Sequence, residues 1–277
     1  MIHYKKIERL KFNMIKKIIN NLAVFDFEGS NPPLVFVHAF PLTHEMWENQ
    51  LSFFADKFRV IAYDVRGLGA SESDNNQFLM QYYIDELLDI LKNLDAGKVH
   101  AVGLSMGGYI IQGAAIKNPQ AFKTLTLSDT KGERDTDEAL LSRAETVSLI
   151  KSGGREKFIS SFVIKLLSEK NFDTGLKESL ENIISNNTDN GICGAVLALA
   201  TRYDYLNGLK SLNIPSLVIV GREDKLTPLS DAAKLNDALG NSVMKIIDDS
   251  GHLPNMENPV DFNSVLYNFL IGNNERS

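Results

Sequence analysis

The pentapeptide Gly103-Leu104-Ser105-Met106-Gly107 places a serine between two glycines at the spacing G-x-S-x-G. An apolar run over 99–102 precedes it and predicts a strand, and a helix-like run over 109–116 follows it. In this context the motif forms a sharp strand-to-helix turn that exposes the serine hydroxyl at the edge of a sheet. The glycines let neighbouring backbone approach without a Cβ clash. The pattern therefore predicts that Ser105 is the nucleophile of an acyl-transfer reaction.

A serine hydroxyl is a poor nucleophile on its own, so it needs a base, and the base needs an orienting acid. His252 is the only histidine after Ser105, and we predict that it is the base. Asp224 comes at a turn just after the apolar run 217–220, where catalytic groups gather in parallel sheets, and is the predicted acid. Asp129 follows another apolar run and is a rival acid that the sequence leaves open.

Acyl transfer also needs donors for the negative charge that develops on the carbonyl oxygen. One predicted donor is the backbone N–H of Met106, the residue after the nucleophile. The other is the backbone N–H of Phe40, because the loop His38-Ala39-Phe40-Pro41-Leu42 directly follows the strand-like run 34–37. Pro41 has no N–H to donate, but it stiffens this loop.

Apolar side chains near these positions predict the walls of a substrate pocket. Pro41, Trp47 and Tyr109 are the candidates, although a place in the core is the stronger interpretation for Trp47. A di-acid substrate would need a cluster of arginines or lysines, and the sequence has no motif of this kind. The sequence therefore favours a small neutral ester or lactone.

Strand-like and helix-like runs alternate along the chain. Most strand-like runs are apolar on both faces, as expected for a parallel sheet covered by helices on each side. The alternation predicts an α/β fold with a mostly parallel, doubly wound sheet. The predicted strands cover 34–37, 60–63, 99–102, 125–127, 217–220 and 243–247, with an early antiparallel strand over 21–27.

Two helices of the core have clear signals. An apolar stripe within 79–94 predicts one amphipathic helix. Asn258 as N-cap and Pro259 at the first helical position predict the start of the last helix.

The segment 131–209 breaks this alternation, because it contains helix-like runs and no strand-like run. We therefore predict an α-helical cap inserted into a core made of 18–130 and 210–277. The predicted cap helices cover 139–151, 155–168 and 193–203.

Residues 1–17 are basic and lack the apolar stretch of a signal peptide, so we expect a flexible extension there. A second hypothesis is that Met14 is the natural start, because the strand pattern begins soon after it. The N-terminal mass of the native protein distinguishes the two.

Composition narrows the function classes. The 277 residues carry a formal net charge of −6, which gives no support to nucleic-acid binding. No apolar run approaches the length of a membrane span. The single Cys193 fits a reducing compartment and favours the cytoplasm. The five histidines lack metal-ligand spacing, so we expect no metal and no other cofactor. No pattern indicates an oligomeric state.

The chain resembles an α/β-hydrolase of the group that contains carboxylesterases, 3-oxoadipate enol-lactonases and cofactor-free haloperoxidases. The matching stretches extend over about 34–259 and are specific for the superfamily. The resemblance implies an α/β-hydrolase fold and hydrolysis of esters or lactones through an acyl-enzyme. The stretches are His38 to Leu42, Asp64-Val65-Arg66-Gly67-Leu68-Gly69-Ala70-Ser71, Gly103 to Gly108, Gly221-Arg222-Glu223-Asp224 and Gly251-His252.

Two positions depart from the family pattern. Ala39 stands where the family usually has glycine in the oxyanion loop, and Leu68 replaces a histidine of a structural turn. Pro41 resembles relatives with perhydrolase or haloperoxidase side activity. Other members of the fold hydrolyse C–C or amide bonds, or bind ligands without catalysis, and these alternatives stay open at this point.

Overall fold

Eight strands form one sheet in the order β1-β2-β4-β3-β5-β6-β7-β8 in this computed structural model. The structure describes residues 14–29, 32–73 and 78–274. β1 pairs antiparallel with β2, and β2 pairs antiparallel with β4, whereas every pair that β3 to β8 form with one another is parallel. The strands are β1 (Met14–Ile19), β2 (Leu22–Phe27), β3 (Pro33–Val37), β4 (Arg59–Tyr63), β5 (Val99–Leu104), β6 (Phe122–Ser128), β7 (Ser216–Gly221) and β8 (Ser242–Ile247).

The central strands are buried at almost every position because helices cover both faces of the sheet. β3, β5 and β7 have no residue outside the buried class. β8, at the edge, alternates between exposed and partly buried side chains until Ile247. The apolar character of the central runs follows from burial on two faces rather than one. The prediction of a mostly parallel α/β sheet is confirmed.

Helices connect the strands and pack against the sheet. In α2 the buried residues include Tyr83, Leu87 and Ile90, the stripe that the sequence predicts. Asn258 caps α11, since its Oδ1 accepts a hydrogen bond from the N–H of Asp261 at 3.3 Å. The core helices are α1 (Glu48–Phe54), α2 (Met80–Asn93), α3 (Met106–Lys117), α9 (Leu229–Ala238), α10 (Pro254–Glu257) and α11 (Pro259–Asn274).

The long connection between β6 and β7 is helical. Three of its helices lie close to predicted positions, whereas α6 and the short α8 have no counterpart in the prediction. Its signal is the spacing of Leu176, Leu180, Ile183 and Ile184, which places four apolar residues on one helical face. The helices are α4 (Asp137–Lys151), α5 (Arg155–Leu166), α6 (Gly175–Ser185), α7 (Asp189–Ala200) and α8 (Leu206–Leu209). We call α4 to α8 the cap.

The prediction of a flexible extension up to residue 17 is wrong for Met14 to Lys17. These residues belong to β1, which pairs with β2 along its whole length. Lys17 donates to the buried Asp26 of β2 at 2.8 Å, and Arg59 of β4 contacts the same carboxylate, so charge pairing and the ladder together hold this edge. Residues 1–13, on which the rest of that prediction and the Met14 hypothesis depend, lie outside the described residues.

Within the described ranges, no helix combines the length and the apolar character that crossing a bilayer requires.

Candidate active site

Ser105 occupies a strained turn between β5 and α3. Its backbone has φ 53° and ψ −111°, a conformation that costs a non-glycine residue roughly 1–3 kcal/mol. Two contacts hold the turn: the Ser105 N–H donates to the carbonyl of Ser128 at 2.9 Å, and the Thr130 hydroxyl donates to the carbonyl of Ser105 at 2.9 Å. Strain at a well-held residue is a feature of functional sites.

The flanking glycines are required by close backbone contacts. A Cβ on Gly107 would lie 2.1 Å from the carbonyl oxygen of Val37, at the end of β3. A Cβ on Gly103 would lie 2.4 Å from the carbonyl oxygen of Gly107 itself. The G-x-S-x-G spacing therefore lets α3 start directly against the sheet, with the serine at the top of the turn.

His252 and Asp224 form a buried pair beside this turn. The Nδ1 of His252 lies 2.9 Å from the Oδ2 of Asp224, and His252 is only 2% exposed. We assign the proton of this bond to Nδ1, because an ionised carboxylate can only accept, which leaves Nε2 as the basic nitrogen. Ser105 and His252 line the same cavity, so the structure brings together the three residues predicted to form the triad.

Asp224 is held in place by the chain that follows it. Its Oδ1 accepts hydrogen bonds from the N–H of Leu226 at 2.8 Å and of Thr227 at 3.2 Å. Its Oδ2 accepts from the Thr227 hydroxyl at 2.6 Å as well as facing His252. Burial favours a higher pKa, but His252 and these donors outweigh it and hold the pKa of Asp224 below its ordinary value. Asp224 therefore carries the negative charge beside the imidazole.

Asp129, the rival acid, lies next to this pair. Its Oδ1 accepts from the N–H of Gly221 at 2.8 Å, and its Oδ2 accepts from the Ser128 hydroxyl at 2.6 Å. Burial, followed by the charge of Asp224, raises the pKa of Asp129 well above its ordinary value. Asp224, and not Asp129, makes the recorded hydrogen bond to His252. The structure therefore favours Asp224 over Asp129 as the orienting acid.

The spacing of Asp129, Asp224 and His252 is also compatible with a metal ion, since one ligand atom from each lies within 4.8 Å of the others. The same atoms are already engaged in hydrogen bonds, above all the 2.9 Å contact between Asp224 and His252. The arrangement fits an acid–base pair without further groups, and the expectation of no metal stays a prediction.

The loop after β3, which is the predicted oxyanion loop, is fixed by His38, which is fully buried. Its Nδ1 lies 2.9 Å from the carbonyl of Ala39, and its Nε2 accepts the N–H of Val65 at 2.8 Å. Burial lowers the pKa of His38, which keeps the ring neutral and suited to donating on one side and accepting on the other.

An oxyanion donor needs a backbone N–H that has no acceptor in the protein, and Met106 and Phe40 are the predicted donors. Met106 is the first residue of α3, and Phe40 follows Ala39 in the loop. Among the described residues, no acceptor is recorded for either backbone N–H. Phe40 also lines the cavity that contains Ser105.

The cavity at Ser105 has a volume of about 290 Å³ and lies between the core and the cap. Tyr109 lines it, as predicted. The ring of Phe40 lies 5.5 Å from that of Phe162 in the cap helix α5, so cap and oxyanion loop meet at this wall. A larger cavity of about 570 Å³ near β1 and α6 has neither Ser105 nor His252 in its walls.

Two predicted pocket residues do not line the cavity at Ser105. Trp47 is fully buried in the core, with ring centroids 5.0 Å from Phe36 and 6.1 Å from Phe262, so its size is used for packing. Pro41 is buried in the oxyanion loop, where its carbonyl accepts a hydrogen bond from Asn187 of the cap at 2.8 Å. The structure therefore places both side chains in core or loop contacts and not in the wall of this cavity.

Charged side chains line the cavity, and the sequence analysis missed them. They lie far apart in the chain, so no motif connects them, and only the folding of the cap brings them together. They are the cations Lys131, Arg143, Lys165 and Arg202 and the carboxylate Asp135.

A serine at the turn after a central parallel strand, with its acid and base after two later strands, defines the α/β-hydrolase class. A family model described as alpha/beta hydrolase fold matches residues 32–259, and the chain belongs to this family. Its match to 3-oxoadipate enol-lactonase 1 of Acinetobacter baylyi is 29% identical and covers 86% of this chain and 88% of the relative.

Solved structures agree with this assignment. A thermophilic esterase from Thermogutta terrifontis, with malate bound, has a TM-score of 0.87 and 29% identity, covering 94% of this chain and 98% of that one. A bromoperoxidase from Bacillus anthracis has a TM-score of 0.81 and 22% identity, covering 93% and 99%, and shows the shared fold. The resemblance to the lactonase, esterase and haloperoxidase group is confirmed.

Proposed function

We propose that this protein is a serine hydrolase that cleaves small carboxylic esters or lactones through an acyl-enzyme. The observation that carries the proposal is the convergence of Ser105, with its strained backbone, and the buried Asp224–His252 pair at one cavity. The similarity to an enol-lactonase and an esterase supports the bond type.

The reaction has two steps. In the first, His252 Nε2 takes the proton of Ser105 as Oγ attacks the carbonyl carbon, and the same proton then goes to the leaving alkoxide. In the second, His252 activates a water molecule that attacks the acyl-enzyme and releases the acid. The N–H groups of Phe40 and Met106 stabilise the oxyanion of both tetrahedral intermediates, and Asp224 stabilises the charged imidazole.

The test is labelling by a fluorophosphonate probe together with kinetics on p-nitrophenyl esters and lactones. We expect the probe to label Ser105, and Ser105→Ala to lose hydrolysis by roughly 10⁵–10⁶-fold. Ser160→Ala removes an exposed hydroxyl on the cap helix α5 and serves as the matched control with unchanged rates. A wild-type protein that the probe does not label would favour a ligand-binding scaffold without catalysis. A labelled protein that cleaves only amides or C–C bonds would contradict the proposed ester or lactone specificity.

We further propose that the protein works in the cytoplasm on a small-molecule substrate, without nucleic-acid or membrane partners. The support is the single cysteine, Cys193, which is buried and free, together with the negative net charge. Fractionation of native cells checks the location, and recovery outside the cytoplasm would contradict it.

A further inference from the structure

Arg202 is the most unusual charged residue in the catalytic cavity. It follows the cap helix α7, its side chain is 1% exposed, and its guanidinium carbon lies 4.3 Å from the centre of the Tyr109 ring. Its Nε donates to the carbonyl of Glu133 at 3.1 Å. In the part of the chain that the structure describes, both Nη atoms are buried without a hydrogen-bond acceptor of good geometry. Unfilled donors on a buried charge are costly, and an added acceptor would relieve that cost.

Asp135 neutralises only part of the buried positive charge of Arg202. Its Oδ1 lies 2.7 Å from Nη1 of Arg202, but the same carboxylate also binds Arg143. Burial favours a higher pKa, but the two arginines outweigh it and hold the pKa of Asp135 below its ordinary value, so it remains ionised. One carboxylate is therefore shared between two guanidinium groups.

The walls of the cavity carry an excess of positive charge. Lys131 and Lys165 line it in addition to Arg143 and Arg202, which gives four cations against one carboxylate. Among the described residues, no ion pair is recorded for Lys131 or Lys165. In a partly desolvated site this excess attracts an anion.

We propose that Arg202 is the centre of a carboxylate-binding subsite, and that the preferred substrates are small esters or lactones that bear a second, free carboxylate. This inference rests on the proposed function, since the subsite shares one cavity with Ser105 and His252. A planar carboxylate matches the two Nη donors of a guanidinium. The cavity volume of about 290 Å³ is at the small end of ligand sites, so the carboxylate lies only a few bonds from the scissile carbonyl.

This proposal departs from the sequence-based expectation of a neutral substrate. That expectation depended on the lack of a cationic motif in the sequence, whereas the cations of this subsite come from separate parts of the chain.

The kinetic test compares two p-nitrophenyl esters of equal acyl chain length, the hydrogen glutarate and the valerate. We expect the wild-type kcat/KM to be at least about tenfold higher for the charged ester. Arg202→Met is expected to lower the charged-to-neutral ratio by about 10- to 100-fold, since a charged hydrogen bond contributes roughly 1.5–3 kcal/mol. Lys157→Met removes an exposed cap cation that does not line the cavity, and it should leave the ratio unchanged.

A binding test covers the case in which Arg202→Met does not fold. The Ser105→Ala protein is titrated calorimetrically with glutarate, and Arg202→Lys is added as a variant that keeps the charge but loses the planar fork. We expect glutarate to bind to Ser105→Ala and to bind at least tenfold more weakly when Arg202→Lys is combined with it. Inorganic phosphate is titrated in parallel, and phosphate binding tighter than glutarate would overturn the assignment to carboxylates.

Failure of the subsite and failure of the proposed function give different results. Ester hydrolysis with a charged-to-neutral ratio near one, unchanged in Arg202→Lys, would overturn the subsite and leave the hydrolase standing. Glutarate binding that depends on Arg202, in a protein that cleaves no ester and is not labelled at Ser105, would support the subsite and overturn the hydrolase.

Discussion

Two carboxyl groups lie behind His252, and they differ in charge because their surroundings differ. Asp224 has the imidazole and three donors around it, whereas Asp129 is fully enclosed and faces the charge of Asp224. Two buried carboxylates in contact do not both ionise, so one of them keeps a proton. The opposite directions of the two pKa shifts favour the charge on Asp224, next to His252, and the proton on Asp129.

This difference in charge predicts losses of very different size for two similar substitutions. Asp224→Asn should lower kcat by roughly 10⁴-fold, because the amide no longer stabilises the charged imidazole and favours the wrong tautomer. Asp129→Asn should lower kcat by less than about tenfold, because the amide replaces a protonated carboxyl and its oxygen still accepts from Gly221. Steady-state kinetics on one ester provide the measurement, and an equal loss in both variants would refute the assignment.

Asp129→Asn should also change the stability of the protein in a pH-dependent way. A carboxyl whose pKa is raised in the folded state contributes full stability only below its unfolded pKa, and this contribution is lost as pH rises through the folded pKa. Asp129→Asn removes the titrating carboxyl group, and with it the loss of stability at high pH. Its melting temperature should exceed that of the wild type at pH 8 and approach it at pH 4, as measured by calorimetry.

Single residues differed in how far the sequence could predict them. Ser105, Asp224 and His252 could be predicted because each follows a recognisable strand and the order is set by the fold. Arg202 and Asp135 could not, because their meaning depends on contacts that form only when the cap closes over the core. Trp47 was assigned to the pocket from its chemistry alone, whereas packing against Phe36 and Phe262 decides its place.

At the scale of elements, the contact between the start of α3 and the end of β3 joins the proposed nucleophile, Ser105, to the proposed oxyanion loop. Gly107 touches the carbonyl of Val37, and the next residue, His38, begins the loop that presents Phe40. A change in this contact moves Ser105 and the oxyanion donor relative to each other.

Gly107→Ala tests this contact. The added methyl group would meet backbone that has little room to shift, so we expect a loss of about 1–3 kcal/mol in the free energy of unfolding. Misalignment of the donors should lower kcat by about 10- to 100-fold. Gly175→Ala is the matched control: its added Cβ has no neighbour within 4 Å, and the protein should keep full activity and be slightly more stable. Full activity in Gly107→Ala would show that the contact is not needed.

β1 was not predicted as a strand, because its sequence alone does not specify one. β1 includes two adjacent lysines and lacks a simple alternation, and it becomes a strand because β2 offers a complete ladder and Asp26 offers a charge partner. Strand formation at an edge is thus decided by tertiary contacts more than by local pattern. The fully buried strands, by contrast, are predictable from their continuous apolar runs.

At the scale of the whole molecule, the cap contacts the catalytic loops directly. The N–H of His252 donates to the carbonyl of Leu166 at the end of α5, at 2.9 Å. Asn187, in the loop between α6 and α7, donates to the carbonyl of Pro41 at 2.8 Å and accepts the N–H of Gly69 at 2.6 Å. The cap therefore holds His252 and the proposed oxyanion loop, and it also supplies walls of the cavity.

Asn187→Ala tests the two hydrogen bonds of Asn187 while leaving the rest of the cap unchanged. The substitution leaves the carbonyl of Pro41 and the N–H of Gly69 without their partner, which should cost about 1–3 kcal/mol. For a chain of this size the melting temperature should fall by several degrees. Because Phe40 precedes Pro41 and its N–H is the proposed oxyanion donor, we expect kcat to fall by about tenfold with a smaller change in KM.

The neighbouring Asn186 provides the control, since it is exposed and its side chain has no recorded hydrogen bond within the described ranges. Asn186→Ala should match the wild type in melting temperature and kcat. Should Asn187→Ala raise KM while kcat stays constant, the cap would act on substrate binding alone. In that case the oxyanion loop would hold its catalytic geometry through His38 and the sheet, without help from the cap.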